Sequence, residues 1–522
     1  MQQLGLLCPT CQSSLCPHLL TCLLPSCLPP FLNPQAEQSR VEQRRPLNNC
    51  TLGQSSGADQ MAPPSSSPGV HVVDRFRVSP PPPSDSAREP ALPLTFFDVA
   101  WLFTGPVERL FFFRHPDPAS ALPQLRASLS VALRRFYPLA GTIRPHPPFL
   151  CSYTPGADAL TLVIAESDSP DDFDRLVARS PRDLDGIHPL VPQLPPPGDD
   201  GAFALAAVQA TVFPGHGLCL GVSVHHAACD DASTMHFVRT WAAACRLGLE
   251  SDDGSEDAAL PPRPVLDRSL VADPDDLRGK TLAGMTRLAP PPPPPSPPQH
   301  QEEEKAPMVM ASFLLPRHQI DRIKEGAAPK ADAKPSSFVA ASALAWVCLL
   351  KSGSAGVAGA ERSHMLFSAE CRARLTPPLS AEYFGNCLRP CFVEAATADL
   401  LSGETADGIA AAASAIGSAI REMEQGVLEG AEGWLGRVLS VLPQRPMSVG
   451  GSPRHGVYET ADFGWGRPAR VEMVSVEKTP GTVALADCPE GDGGIELGVV
   501  LPTDAIDAFA SCFADALGGT TV

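Results

Sequence analysis

The residues in this chain whose spacing could do chemistry most directly are His226 and Asp230, the first and last residues of the run HAACD. The run follows an alternating apolar stretch, 218–226, and precedes a helical pattern, which places the imidazole at the end of a strand. A rigidly held neutral histidine can serve as a general base. A four-residue pattern often occurs by chance, and this one also fits a buried histidine beside a helix-capping aspartate.

Alternation along the strand predicts which of two adjacent histidines faces the site. His226 shares a face with the apolar residues of the strand, whereas His225 shares the other face with Gly221 and Ser223. We therefore expect His226 to point inward. Ser233 is predicted to cap the helix that follows. Cys229 could suggest a thiol nucleophile, but its place within the turn favours a packing role.

Composition limits the functions that are open to the chain. Its 522 residues carry a net charge of -18 at pH 7, which argues against nucleic acid as a partner, because phosphate binding needs a positive surface. No apolar run is long enough to cross a bilayer, and no membrane partner is expected. Cys8 and Cys11 have metal-ligand spacing without a completing pair, so no metal is predicted. Cysteines scattered singly through the later segments indicate a reducing compartment, and a cytoplasmic location is predicted.

Composition also predicts four segments. Residues 1–60 are predicted to be disordered or absent from the working protein, with Met61 as an alternative start. A first α/β domain is predicted at 61–250, a Pro-rich crossover linker at 251–306, and a second α/β domain at 307–522. Strands are predicted at 70–78, 160–165, 203–213, 218–226, 308–315, 365–369, 471–476 and 495–500. Helices are predicted at 125–136, 320–324, 338–351, 410–424 and, from Ile506 to Leu517, at the C-terminus.

Longer motifs in the second half make a chance match improbable. Glu370, Arg372 and Arg374 form an ExRxR run that is followed by YFGNC at 383–387, and DFGWG stands at 462–466. Together with HAACD and FYPLAG at 136–141, these motifs make the chain resemble the plant BAHD acyl-CoA-dependent acyltransferases from residue 70 onward. YFGNC resembles the clade that transfers malonyl and related short acyl groups to sugar hydroxyls of phenolic or flavonoid glucosides.

The resemblance implies a fold, a reaction and its substrates. The implied α/β fold has two similar mixed-sheet domains, like chloramphenicol acetyltransferase, with a solvent channel between them. His226 is implied to act in that channel as general base while acyl-CoA and acceptor bind together. No bound cofactor is implied: acyl-CoA is a cosubstrate, with malonyl-CoA favoured, the acceptor is a glycosylated phenolic such as an anthocyanin, and the enzyme is a monomer.

The resemblance also assigns roles to the carboxylates. Asp230 is implied to turn away from the channel and pair with an arginine, for which Arg372 and Arg374 are both candidates. Asp462 is counted with His226 and Asp230 in the catalytic set, and we interpret it as a carboxylate that locks the fold. The family usually has Gly where this chain has Asp231, and we expect aspartate to tolerate the left-handed backbone of such a turn.

The candidate cosubstrate contacts lie at the start of a predicted helix and within the motifs of the second half. Lys334, Ser336 and Ser337 precede a helix whose N-terminal amides could receive a CoA phosphate, although an ordinary capped helix, with Ser336 or Ser337 as its cap, fits equally well. Arg372 and Arg374 could each bind a malonyl carboxylate or Asp230. Asn386 could donate to the oxyanion or tie a turn.

Two other functions fit the same motifs. The first is hydroxycinnamoyl transfer, in which coumaroyl replaces malonyl as the acyl group. The second is a catalytically silent relative that binds small ligands without turnover. A protein kinase is disfavoured, because the letters DFG within 462–466 lack the catalytic loop, the Gly-rich loop and the strand lysine that a kinase needs.

Overall fold

The structure is a computed structural model that describes residues 69–81, 91–144, 147, 149–198, 200–250, 259–288, 306–330 and 334–518. The predictions for residues 1–60, with Cys8 and Cys11, and for the proline tract at 290–298 lie outside the described residues.

Strands and helices are mixed along the whole described chain. The strands are β1 (Val70–Val78), β2 (Ala91–Pro93), β3 (Pro106–Arg114), β4 (Thr142–Ile143), β5 (Leu150–Ser152), β6 (Leu160–Ser167), β7 (Arg182–Asp183), β8 (Phe203–Ala204), β9 (Ala206–Phe213), β10 (Gly217–His225), β11 (Met308–Leu315), β12 (Arg362–Glu370), β13 (Leu388–Ala396), β14 (Met447–Gly450), β15 (Arg470–Met473), β16 (Thr482–Asp487) and β17 (Ile495–Pro502). The helices are α1 (Phe96–Val99), α2 (Leu122–Arg135), α3 (Asp172–Val177), α4 (Asp231–Arg246), α5 (Leu277–Leu288), α6 (Arg317–Ala327), α7 (Ser337–Lys351), α8 (Thr397–Leu401), α9 (Thr405–Arg421), α10 (Trp434–Val441), α11 (Val457–Thr460) and α12 (Thr503–Ala516).

Two large mixed sheets form the frame, and each takes one strand from the other half of the chain. The first sheet has the order β1-β6-β9-β10-β3-β15, and the second has the order β13-β12-β14-β16-β17-β11-β7. A small sheet, β2-β5-β4-β8, lies beside them. Strand β15 comes from the second half of the chain but pairs antiparallel with β3, and β7 comes from the first half but pairs with β11. The two halves are therefore joined by strand exchange.

Each large sheet carries its own helical layer and core. Helices α2 and α4 pack against each other over the first sheet, whose core includes Phe113, Phe136 and Trp241. Helices α7, α9 and α12 pack on the second sheet. Helix α7 is buried along most of its length, as its almost entirely apolar sequence requires. A third cluster, in which Phe112 and Met310 take part, joins the two sheets.

Most predicted elements are confirmed, with shifted ends. The predicted strand at 203–213 is two strands separated by Leu205, and the one predicted at 471–476 ends at Met473 and continues as a 3₁₀ turn. Strand β3 was not predicted, although it lies beside β10. Its residues from Glu108 to Phe113 are all buried, so the apolar and polar alternation that marks a half-exposed strand is missing.

The predicted crossover linker contains a folded segment, residues 259–288. The segment lies between the two stretches, 252–256 and 287–306, whose composition favours an extended crossover. Val265 forms a β-bridge with Tyr383, and α5 packs on α1. The side chain of Arg268 is buried against the first half. Polar anchors and a short helix hold this segment, and neither produces the long apolar periodicity from which folded segments are predicted.

Substituting Gly221 by alanine tests the packing behind β10, which leads to His226. A Cβ at this position would lie 2.5 Å from the carbonyl oxygen of Leu190 and 2.6 Å from a ring carbon of Pro192. We expect Gly221→Ala to lower the free energy of unfolding by about 1–3 kcal/mol, because the backbone oxygen cannot move aside cheaply. Denaturant titration measures the change.

Gly436→Ala is the matched control, since it adds the same methyl group where no atom lies within 4 Å. This position is inside α10, where alanine is the better helix former, so the control should be neutral or slightly stabilising. Equal effects of the two substitutions would contradict the close packing of β10.

Candidate active site

The HAACD turn joins the end of β10 to the start of α4. The strand ends at His225, and Asp230 is the N-cap of the helix, with its Oδ1 accepting a hydrogen bond from the backbone N–H of Ser233 at 3.0 Å. The prediction that Ser233 caps the helix is therefore wrong. The cap is the residue with extended backbone immediately before the first helical residue, and here that residue is Asp230.

Asp231 is the first residue of α4 and has helical backbone, so the turn needs no left-handed residue at this position. Its carboxylate lies 3.0 Å from Nη1 of Arg109 on β3 and 2.6 Å from Nδ1 of His455 in the second half. Burial raises the pKa of Asp231, but the neighbouring Arg109 and His455 outweigh burial and hold this pKa below its usual range. Asp231 therefore links the two halves as a charged group.

Arg372 is the arginine that pairs with Asp230. Its Nη1 lies 2.8 Å from Oδ2 and its Nη2 donates to Oδ1 at 2.9 Å, with side chains that are 4% and 1% exposed. Cys387 also donates its backbone N–H to Oδ2 at 3.1 Å. Burial lowers the pKa of Arg372, but the charge of Asp230 outweighs this and the pKa is raised. Arg374 is exposed and donates to the carbonyl of Glu370.

His226 lies where the two halves of the chain meet. Its Nδ1 is 3.2 Å from Oδ1 of Asn386, whose Nδ2 donates to the carbonyl of His226 at 2.8 Å and to Asp98 Oδ1 at 3.0 Å. Both partners of Nδ2 are pure acceptors, which fixes the orientation of the amide. The imidazole therefore carries its proton on Nδ1 and keeps a lone pair on Nε2.

The surroundings of His226 keep the ring neutral and held in place. The indole of Trp101 stacks on the imidazole with ring centroids 3.8 Å apart and an interplanar angle of 5°. Burial lowers the pKa of His226, against smaller opposing effects from its own backbone, Asp230 and Asn386. His225 is buried, and burial lowers its pKa to about 3. Strand β10 is buried on both faces up to His225, whereas His226, one residue beyond its end, is half-buried and contacts Asn386.

Trp101, Asp98 and Arg268 are residues at the site that the sequence patterns did not single out. Trp101 and Asp98 belong to the dense apolar run around α1, where Asp98 is fully buried and closes a capping box with Thr95. A lone carboxylate inside such a run was the available signal, since buried charges need partners. Arg268 lies in the segment that was predicted to be linker.

Asp462 is placed away from His226. Its Oδ1 accepts from the backbone N–H groups of Gly464 and Gly466 at 2.9 and 3.0 Å. Its Oδ2 lies 3.8 Å from Nη1 of Arg246, the last residue of α4. Because Asp230 caps the first turn of this 16-residue helix, the two aspartates lie at opposite ends of it, about 24 Å apart along its axis.

The residues predicted to receive CoA lie together at the start of α7. Ser336 is confirmed as the N-cap, with its Oγ accepting from the N–H of Val339 at 3.2 Å. Ser337 accepts from Nζ of Lys324 at 2.9 Å, and Lys334 is exposed. Of the six predicted cosubstrate contacts, only Asn386 touches His226 directly in the contacts described above.

The described cysteines are free and buried. Sγ of Cys229 lies 3.6 Å from Oγ1 of Thr234. Burial raises the pKa of the Cys229 thiol, which disfavours a thiolate nucleophile.

Within the described ranges, no three His, Cys, Asp or Glu side chains are arranged to hold a metal ion. No helix in the same ranges combines the length and apolar character needed to cross a membrane.

Comparison with known proteins identifies the family. The model of the family described as Transferase family, which is the BAHD family, matches residues 70–515. The chain belongs to this family. The resemblance inferred from HAACD, YFGNC and DFGWG is thereby confirmed, and this BAHD protein is an acyl-CoA-dependent O-acyltransferase.

Two similar curated BAHD proteins differ in their acyl donor. Coumaroyl-CoA:anthocyanidin 3-O-glucoside-6''-O-coumaroyltransferase 2 of Arabidopsis thaliana is 34% identical over 466 residues, covering 84% of this chain and 96% of the relative. Malonyl-coenzyme:anthocyanin 5-O-glucoside-6'''-O-malonyltransferase of Salvia splendens is 34% identical over 464 residues, covering 85% and 94%. Both relatives are matched over nearly their whole length.

A solved structure confirms the fold. The crystal structure of vinorine synthase aligns with a TM-score of 0.60 at 19% identity and covers 86% of this chain and 98% of that one. The BAHD structures have the two-domain fold like that of chloramphenicol acetyltransferase, so the predicted α/β fold class is confirmed.

The two aspartates of the BAHD motifs are expected to differ in their effect on stability. Asp230→Ala strands the buried Arg372 and removes a helix cap, so we expect it to lower the free energy of unfolding by about 3–5 kcal/mol. Asp462→Ala loses two backbone hydrogen bonds at a side chain that is 31% exposed, and we expect about 1–2 kcal/mol. Denaturant titration of both variants measures the difference.

Asp230→Asn is the control that keeps the shape and removes the charge, and it should fall between wild type and Asp230→Ala. A fully stable Asp230→Ala protein would contradict the structural assignment of this residue.

Proposed function

We propose that this acyltransferase moves an acyl group, with malonyl favoured, from acyl-CoA to a sugar hydroxyl of a phenolic or flavonoid glucoside such as an anthocyanin. His226 is the general base, and both substrates bind together in a channel between the two halves. The observation that carries the proposal is the neutral imidazole, with Nδ1 tied to Asn386 and Nε2 left with its lone pair.

The chemistry needs no covalent enzyme intermediate. Nε2 of His226 takes the proton of the acceptor hydroxyl as its oxygen attacks the thioester carbonyl carbon. The tetrahedral intermediate then expels the CoA thiolate, which receives the proton from the imidazolium, and the ester and free thiol leave. Holding both substrates in one cleft supplies the proximity that the attack requires. Base catalysis of this kind contributes about 10² to 10⁴ in rate.

The other site residues act around this step. Asp230 and Asp462 hold the turn and the DFGWG loop and touch neither substrate. Nδ2 of Asn386 already donates to the carbonyl of His226 and to Asp98, so it is engaged within the protein. This favours a role for Asn386 in positioning the base over a role as oxyanion donor.

The ligand contacts follow from which groups are still available. All three guanidinium nitrogens of Arg372 have partners within the protein, so Arg374 is the better candidate for a malonyl carboxylate. The CoA phosphates are proposed to bind Lys334, Ser336 and Ser337 at the N-terminus of the 15-residue helix α7. The net charge of -18 argues against nucleic acid and anionic membranes as partners, and the proposed enzyme acts on small molecules as a cytoplasmic monomer.

Coumaroyl transfer to a similar acceptor is the second candidate function. A coumaroyltransferase and a malonyltransferase are equally similar to this chain, each at 34% identity. Donor choice depends on the contacts that the acyl pocket makes in the transition state, and 34% identity to both relatives does not separate the two donors. The silent ligand-binding alternative is disfavoured, because the chain belongs to an acyltransferase family and the geometry holds a neutral base.

A donor-by-acceptor screen that measures thiol release tests the function. Protein beginning at Met61 is given malonyl-CoA or coumaroyl-CoA with an anthocyanin glucoside or a simple phenolic glucoside. We expect thiol release with malonyl-CoA, and loss of at least about 10²-fold in kcat for folded His226→Ala. Release with coumaroyl-CoA alone favours the second candidate. No release with any donor, together with unchanged ligand binding by His226→Ala, favours the silent relative.

The pH dependence of kcat/KM tests the protonation state of the base. Only neutral His226 can take the acceptor proton, so activity is lost as pH falls through the pKa of this residue. Because burial lowers that pKa from its ordinary 6.5, the midpoint of the acidic limb is expected below pH 6.5, with no decline from there to pH 8. A midpoint above pH 6.5 in protein that circular dichroism shows to be folded would contradict this assignment.

A further inference from the structure

A buried ion pair that no motif covers lies directly behind the proposed base. Asp98 and Arg268 are 0% and 1% exposed, and Nη1 of Arg268 lies 3.1 and 3.0 Å from the two oxygens of Asp98. The two residues come from α1 and from the folded part of the predicted linker. Burying two charges is costly unless the geometry brings something in return.

Asp98 holds the amide that contacts the base. Its Oδ1 accepts from both the backbone N–H and the side-chain Nδ2 of Asn386, each at 3.0 Å. Its Oδ2 accepts from the N–H and hydroxyl of Thr95 at 2.8 and 2.7 Å. Together with the carbonyl of His226, which also accepts from Nδ2, the carboxylate sets the rotation of the Asn386 amide, whose Oδ1 then faces Nδ1 of His226.

Arg268 ties the same carboxylate to the catalytic turn. Its Nη2 donates to the carbonyl of Ala228 inside HAACD at 3.0 Å, and its Nη1 contacts the hydroxyl of Tyr383 at 3.4 Å. A Cβ on Gly385 would lie only 2.0 Å from Nη1, so this glycine makes room for the guanidinium. Arg268 thus touches both HAACD, which contains His226, and YFGNC, which contains Asn386.

We propose that Asp98 and Arg268 are positioning residues for acyl transfer, which select the His226 tautomer through Asn386. The proposal rests on the proposed role of His226 as general base. A flipped Asn386 amide would present N–H to Nδ1 and leave the imidazole proton on Nε2, where the base needs its lone pair. An acceptor-only carboxylate at 98 prevents that flip, because an amide oxygen turned toward it would be repelled.

The central experiment uses Asp98→Asn, which keeps the shape and removes the charge. We expect kcat to fall about 10–100-fold, as for other residues that orient a catalytic group, with KM for acyl-CoA within about twofold of wild type. ¹⁵N-histidine NMR should show a shift of His226 away from the Nδ1–H tautomer, with its signal assigned by its absence in His226→Gln. An unchanged tautomer would overturn the proposal.

Glu472→Gln is the matched control for loss of a buried ion pair. Glu472 pairs with Arg182 at 2.7 Å, with side chains 3% and 1% exposed, and belongs to no part of the site. The control should lower the unfolding midpoint as Asp98→Asn does, but leave kcat within about twofold of wild type. A kcat loss in Glu472→Gln equal to that in Asp98→Asn would reduce the role of Asp98 to general stability.

The double variant Asp98→Asn with Arg268→Gln separates stability from positioning. It leaves no stranded charge, so its unfolding midpoint should recover relative to either single variant, while kcat stays low. If kcat recovers together with stability, the proposal fails. Arg268→Lys offers the same reading should Asp98→Asn not fold, because it keeps the charge and loses the fork to Asp98 and Ala228.

The same assay distinguishes failure of this proposal from failure of the proposed function. Substantial turnover by folded His226→Ala would remove the base itself, and the inference with it. If His226→Ala is inactive while Asp98→Asn keeps wild-type kcat, the base stands and only the positioning role is overturned.

Discussion

The carboxylate of Asp230 is the group on which the geometry of the site depends. It caps α4, forms a two-pronged ion pair with Arg372 and accepts the backbone N–H of Cys387. The first contact fixes the turn that ends β10, and the other two attach that turn to the second half of the chain. His226 and Asn386 meet only because these segments are held in register. A carboxylate can do this because it accepts several hydrogen bonds at once and its charge is fully matched by a buried guanidinium.

The side chain that contacts Nδ1 of His226 is the neutral amide of Asn386, and the charged carboxylate of Asp98 lies behind that amide. A carboxylate bonded directly to Nδ1 would raise the pKa of His226, whereas the neutral amide of Asn386 orients the ring and lets burial dominate. The negative charge of Asp98 stands one residue further back and is matched by Arg268. Trp101 covers one face of the imidazole and excludes water there. The arrangement yields a base that is neutral at physiological pH and is held in a single orientation.

Features marked by local sequence patterns could be predicted, whereas features that depend on burial or on distant contacts could not. His226, Asp230 and Asp462 stand in short local motifs, and a helix such as α12 is marked by apolar residues at helical spacing, so both were predicted. Strand β3 escaped because burial on both faces removes alternation. Asp98 and Arg268 were not predicted as site residues, because their role depends on a contact between residues 170 positions apart in the sequence. No local pattern records such a contact. The choice of Arg372 over Arg374 likewise needed coordinates.

The exchange of strands between the sheets has a mechanical consequence. Strand β15 is hydrogen-bonded to β3, and β7 to β11, so each sheet is completed by a strand from the opposite half of the chain. A hinge that swung the halves apart would have to break both ladders and expose four strand edges to water. In the proposed channel between the halves, substrates would then enter and products leave without a hinge motion of the two sheets. The exchanged strands therefore keep the two walls of that proposed channel at a fixed separation.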